Sequence, residues 1–279
     1  MRVCAPIEPW HANDIGRSSF RNGRSFSQRN SPATQRLVSC DYGIIKRNYG
    51  AEAFVLTVQL STKTCSAHNH PEFILDVEGT IVKPALKFLR SIEDMVAAGE
   101  VFKLNDTLSV GWMIAQVWPH DRKTFTLYEP DMKSFPLKFV PGVNESILQM
   151  TMQMYTLDSF AISRDKMEFP SIKQSAVVCD RIGVSRELYL ARSEPANERD
   201  SGWFIGCAQD DHDHHDKKNL KRLSLYEAFL QRREIQNWMA FPQGSMILAR
   251  HDAAPRVWLN DQPLPVKSGS FVAKWLTNQ

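Results

Sequence analysis

Between Phe54 and Gly99 the spacing of apolar residues changes once, and that change constrains the fold more than any other feature of the chain. Phe54-Val-Leu-Thr-Val-Gln-Leu60 is rich in β-branched and large apolar side chains and stops at the polar run Ser61–Asn69, which predicts a strand. Phe73–Val77 predicts a second, shorter one. From Ile81 the period lengthens. Ala85, Phe88, Leu89, Ile92, Met95 and Val96 recur at steps of three and four, the apolar stripe of an amphipathic helix. Pro84 sits in its first turn, where a missing N–H costs little, and Gly99 follows as a C-terminal stop.

The rest of the chain continues in the same mixed style. Strands are expected at Trp112–Trp118 and Thr124–Tyr128, on either side of the turn-like Pro119-His-Asp121. Asn144–Tyr155 carries both periods, because Leu148, Met150, Met152 and Met154 alternate while Val143, Ile147, Leu148, Thr151 and Tyr155 fit a helix; a helix is the expectation. The polar stretch Ser163–Ser171 reads as a linker. Short strands follow at Ala176–Cys179, Leu188–Arg192, Trp203–Cys207 and Met246–Arg250, with Pro242–Ser245 as a turn. Ser224-Leu-Tyr-Glu227 has the spacing of a capping box opening a helix that turns Tyr226, Phe229 and Leu230 inward. No repeat recurs at a solenoid period. The expected fold class is α+β: two tandem α+β domains with mainly antiparallel sheets, residues 40–165 and 171–279, preceded by a flexible basic tail, residues 1–39.

Charge narrows the function. The net charge of +3 is uneven: residues 1–39 hold six Arg against Glu8 and Asp14, and the remainder is close to neutral. That basic segment is too poor in aliphatics to offset its ordering entropy, and its Arg, Ser and Asn bias is shared with organellar transit peptides; a plain flexible tail is the expectation. A nucleic-acid binder concentrates positive charge on its folded part, so direct binding of nucleic acid is not expected. No run approaches the ~20 apolar residues of a membrane span. Five scattered cysteines without a CxxC pair fit a reducing compartment, and cytoplasm is the working location.

Catalytic patterns are thin. The chain has no GxSxG, Walker loop, GxGxxG or HExxH. Cys65, His68 and His70 make a C-x2-H-x-H string with nothing nearby to complete a zinc site, and a turn before Phe73 is the simpler reading. Asp210-Asp-His-Asp-His-His-Asp216 could bind a metal weakly through His212, His214 and His215; seven consecutive polar residues between strand and helix read better as a solvated loop. Cys179 and Cys207 sit in apolar strand contexts, where a thiol is usually inert. No catalytic residue, metal or cofactor is assigned on these patterns.

A charge run is the better lead. From Glu194 to Asp216 seven acids (Glu194, Glu198, Asp200, Asp210, Asp211, Asp213 and Asp216) face one base, Arg199, and they bracket Trp203. Clustered carboxylates can engage a basic cleft and speed association, with an aromatic anchor beside them. The plainer reading is a solvated acidic face with Trp203 in the core.

Ala176-Val-Val-Cys-Asp-Arg-Ile182, Arg192-Ser-Glu-Pro195, Glu198-Arg-Asp-Ser-Gly-Trp203, Gly206 and Pro242-Gln-Gly-Ser245 together resemble a bacterial family of immunity-protein domains from polymorphic-toxin and type VI secretion systems. The resemblance covers Ser171–Val266; the histidine-rich loop after Gly206 departs from the family's acidic stretch. His70-Pro-Glu-Phe-Ile74 and Ala98-Gly-Glu-Val-Phe102 are similar to a second, uncharacterised bacterial family. The first resemblance implies a stoichiometric inhibitor and not an enzyme. It would bind a cognate toxin, a nuclease, and occlude its active site, with the seven acids and Trp203 as toxin-binding residues and homodimerisation left open. Two other readings stand beside it: a metal-dependent hydrolase using loop 210–216, and a non-inhibitory adaptor that loads an effector.

Overall fold

The computed structural model describes residues 44–45, 56–209, 212–250 and 253–277. The expected basic tail, residues 1–39, lies outside them. In chain order the elements are β1 (Ile44–Ile45), β2 (Thr57–Ser61), β3 (Glu72–Glu78), α1 (Val82–Ala97), β4 (Thr107–Val110), β5 (Met113–Pro119), β6 (Thr124–Pro130), β7 (Phe139–Pro141) and α2 (Asn144–Asp158). Then come β8 (Ser175–Cys179), β9 (Glu187–Arg192), β10 (Asp200–Cys207), β11 (Leu220–Ser224), α3 (Leu225–Gln231), β12 (Ser245–Arg250), β13 (Arg256–Leu259), β14 (Gln262–Leu264) and α4 (Phe271–Thr277).

They form two mostly antiparallel sheets, the α+β class expected from the sequence. The first runs β1-β2-β3-β6-β5-β4 with β7 beside β6, and only β3 and β6 are parallel in it. Strand β3 alternates as a half-buried strand should: Phe73, Leu75 and Val77 point inward, against Ala85, Phe88, Leu89 and Ile92 of α1. Helix α1 ends as its sequence predicts, with Gly99 at φ +96°. The second sheet runs β11-β8-β10-β9-β12-β13-β14, parallel only between β8 and β10. The doubtful segment is a helix, and a buried glutamate holds its start. Glu129 on β6 accepts the N–H groups of Glu145 (3.1 Å) and Ser146 (2.7 Å), although burial pushes its carboxyl pKa up.

The two units share side chains. Ile147, Met150 and Met154 of α2 pack in the first core, whereas Leu157, followed by Phe160 and Ile162, packs in the second. The side chains of Trp112, Met113 and Ile114 likewise pack in the second core, although Met113 and Ile114 are paired in the first sheet, while Ala115 and Val117 stay in the first core. Trp112 is fully buried; its indole N–H donates to Gln149 Oε1 at 2.8 Å, and its ring meets Phe229 at 5.9 Å. The stretch read as a linker is stitched in as well, with the Ile172 N–H donating to the Trp112 carbonyl at 2.8 Å.

Candidate functional site

Arg192–Pro195, Asp200–Trp203 and Pro242–Ser245, which carry much of the family resemblance, meet at one end of the second sheet, while Gly206 and the end of Ala176–Ile182 lie at the other. Gly202 opens this corner at φ +73°, where a Cβ would lie 2.1 Å from the Ser193 carbonyl oxygen. That close approach lets the Ser193 N–H reach the Gly202 carbonyl at 3.0 Å. Gly244, at φ +80°, does the same for the Pro242–Ser245 turn and donates its N–H to the Arg192 carbonyl at 2.8 Å. Arg192 is itself buried. Its guanidinium donates to the Glu168 carbonyl at 2.6 Å and to the Phe241 carbonyl, and it lies over the Trp203 ring. Burial lowers its pKa to about 10, against the upward pull of the Glu168 carboxylate. Arg192, Gly202, Trp203 and Gly244 form a packed framework, while Glu194 and Glu198 beside them are exposed.

Trp203 therefore needs correction as an interface anchor. It is 1% exposed, in the second core, because it alternates inward on β10. The acidic run is also not one patch. Glu194 and Glu198 are exposed ahead of β10, and Asp213 and Asp216 are exposed beyond its far end, so a strand of ~20 Å separates the groups. Asp200 is half-buried and committed locally, accepting the Ala196 N–H at 3.0 Å and facing Arg222 Nη1 at 3.5 Å. Asp213 accepts the His215 N–H and Asp216 that of Lys218, which shapes the loop. Asp210 and Asp211 lie outside the described residues. The strand expected at Trp203–Cys207 is what divides the run, as β10.

At the far end of β10 the structure brings together residues that are dispersed in sequence. β8 and β10 run parallel and end side by side, leaving Cys179 Sγ and Cys207 Sγ 3.7 Å apart. The following loop folds back over them: the His212 N–H donates to the Gln209 carbonyl, and Asn219 Nδ2 to the Asp213 carbonyl at 2.9 Å. His214 Nε2 then lies 3.5 Å from Cys207 Sγ, and the His212 and His214 rings are 5.0 Å apart. A Cβ on Gly206 would crowd Phe204 Cε1 at 2.7 Å and His214 Cε1 at 3.2 Å, so glycine makes room for both rings. Burial raises the Cys207 thiol pKa, and burial together with His212 lowers that of His214. His215, grouped with these histidines in the sequence, is exposed and does not join their cluster.

Cys65 is buried at the first unit's turn, and desolvation pushes its thiol pKa up to about 11, which disfavours the thiolate. His70 is packed among Phe73, Phe102 and Phe125; its Nε2 accepts the Phe102 N–H at 3.0 Å and its Nδ1 faces the Pro71 carbonyl at 2.7 Å. Both ring nitrogens are thus in use, as the turn reading requires. Between the units lies a cleft of 1150 Å3. Its charged lining (Arg164, Lys173, Arg199 and Arg222 with Asp165 and Glu198) is more basic than acidic.

Comparison with curated proteins and with solved structures returns no match. The model of the Imm33-like domain, an immunity-protein family, matches residues 153–260. This match starts earlier than the resemblance read from the sequence, and the structure gives the reason. Near residue 153 α2 begins to contact the second unit: Gln153 Nε2 donates to the Gln236 carbonyl at 2.6 Å, and after Met154 of the first core Leu157 enters the second. The matched segment runs from the second half of α2 to just past β13 and is similar to the Imm33-like domains; β14 and Val272 of α4 continue the same sheet and core beyond it.

Proposed function

We propose that this protein is an immunity protein that binds a cognate toxin of a type VI secretion system, a nuclease, and neutralises it by occluding its active site. The match of residues 153–260 to the Imm33-like domain carries this reading. Immunity requires that almost no toxin stay free, and nanomolar binding corresponds to ~12 kcal/mol. With Trp203 in the core, aromatic anchoring falls to other residues, and the contact is expected to begin with charge. A nuclease cleft is basic because it holds a polyanion. Glu194 and Glu198, exposed and close together before β10, are the carboxylates best placed to engage it, with the loop through Asp213 and Asp216 as the second acidic group.

Affinity purification of the tagged full chain from its native host tests the reading. The expected result is one near-stoichiometric partner that degrades DNA or RNA, kills cells when expressed alone, and loses both activities when this chain is added. A partner whose activity survives in the complex would replace inhibition with the adaptor reading. A chain that emerges alone with a hydrolytic activity abolished by chelator would replace it with an enzyme.

A further inference from the structure

Cys179, Cys207, His212 and His214 each offer one ligand atom, and these four atoms lie within 4.8 Å of one another. We propose that they form a structural zinc site, Cys2His2, that pins the loop after β10 onto the ends of β8 and β10.

Zinc binds thiolate sulfur at about 2.3 Å and imidazole nitrogen at about 2.0–2.1 Å in a tetrahedron. Around such an ion two sulfurs stand about 3.75 Å apart, and sulfur and nitrogen about 3.55 Å apart. The observed Cys179–Cys207 sulfur separation is 3.7 Å, and Cys207 Sγ lies 3.5 Å from His214 Nε2. The donors are already spaced as ligands. A disulfide would need its sulfurs at about 2.05 Å. Three of the four residues are buried.

Outer contacts suit the same role. The Arg181 N–H donates to Cys179 Sγ at 3.3 Å, a bond that steadies a thiolate. The Asp180 carboxylate lies 3.3 Å from His212 Nε2, near enough to orient the imidazole. Four protein donors close the coordination sphere and leave no position for a reacting water, so the site is structural and not hydrolytic. Its consequence is mechanical. The loop bearing Asp213 and Asp216 would be clamped at His212 and His214.

The test uses the full chain, purified without a polyhistidine tag under reducing conditions and analysed for metal. The expected result is one zinc per chain, retained through dialysis against a weak chelator. Cobalt substituted for it should show the intense visible bands and thiolate charge-transfer absorption of a tetrahedral sulfur-ligated ion. Cys207→Ser and His214→Ala should each weaken zinc binding by more than ~100-fold, beyond what loss of an outer-shell partner costs. Cys65→Ser and His215→Ala should leave stoichiometry unchanged. Should Cys207→Ser not fold, the unmodified chain still decides: its two site thiols should resist alkylation until a strong chelator removes the zinc. Metal-free protein that binds no added zinc, a Cys179–Cys207 disulfide in freshly isolated protein, or zinc retained by Cys207→Ser would each overturn the proposal.

Discussion

The guanidinium carbon of Arg192 lies 5.6 Å from the centroid of the Trp203 ring, and both side chains are buried. The pair joins neighbouring strands at the register Trp203↔Arg192, and the same guanidinium reaches the carbonyls of Glu168 and Phe241. One cation thereby ties three stretches of chain to an aromatic face. Arg192→Met keeps most of the packing and removes the donors, leaving two buried carbonyls without this partner. A loss of about 3 kcal/mol is expected, read as a lower denaturant midpoint at unchanged slope.

Gly202→Ala should be more severe than any surface change. Its Cβ would sit 2.1 Å from a backbone oxygen at a φ that favours glycine, so no side chain can rotate out of the way. Destabilisation above about 4 kcal/mol is expected, seen as loss of soluble protein or a collapsed melting transition.

Trp112 tests whether the two units unfold together. It belongs to the first sheet's β4–β5 turn and is buried in the second core. Trp112→Ala should cost about 3–5 kcal/mol. It should also split one calorimetric transition into two, because a bridge between the cores is lost.

Ser224 and Glu227 make the reciprocal capping box that the sequence predicts for α3. Ser224→Ala should cost about 1 kcal/mol. The hydroxyl and N–H of Ser224 hold the Glu227 carboxyl below its ordinary pKa of 4.5. A depressed carboxylate contributes stability above that value and loses it as pH falls through the lower folded one. The gap in melting temperature between wild type and Ser224→Ala should therefore narrow as pH drops below about 4.5.

Charge reversal separates the two acidic groups. Glu194→Lys with Glu198→Lys should slow toxin association about tenfold at low salt and flatten its salt dependence, with folding unchanged. Reversing Asp210, Asp211 and Asp213 together should do the same if that loop joins the contact. Stopped-flow association across a salt series reads both. Unchanged rates in either variant would remove that group from the interface.

Local pattern determined much of this protein. The stripe from Ala85 to Val96, the alternation of Phe73, Leu75 and Val77, and the Ser224–Glu227 box each follow from forces acting within a few residues, and each element appears where its sequence places it. Weakly patterned pieces escaped. β11 carries Lys221 and Arg222 on a sheet edge and owes its shape to pairing with β8, and α4 is short and follows a polar turn. The resemblance in Arg192, Gly202 and Trp203 was legible as letters, while their role as a buried framework was not, since inward and outward positions on β10 depend on what covers each face. The same holds for the site. The strand that divides the acidic run was legible, but two cysteines looked inert until parallel pairing of β8 and β10 set them beside His212 and His214. Residues 28 positions apart meet only through long-range strand pairing, and that pairing is a property of the whole packed sheet, which no local pattern encodes.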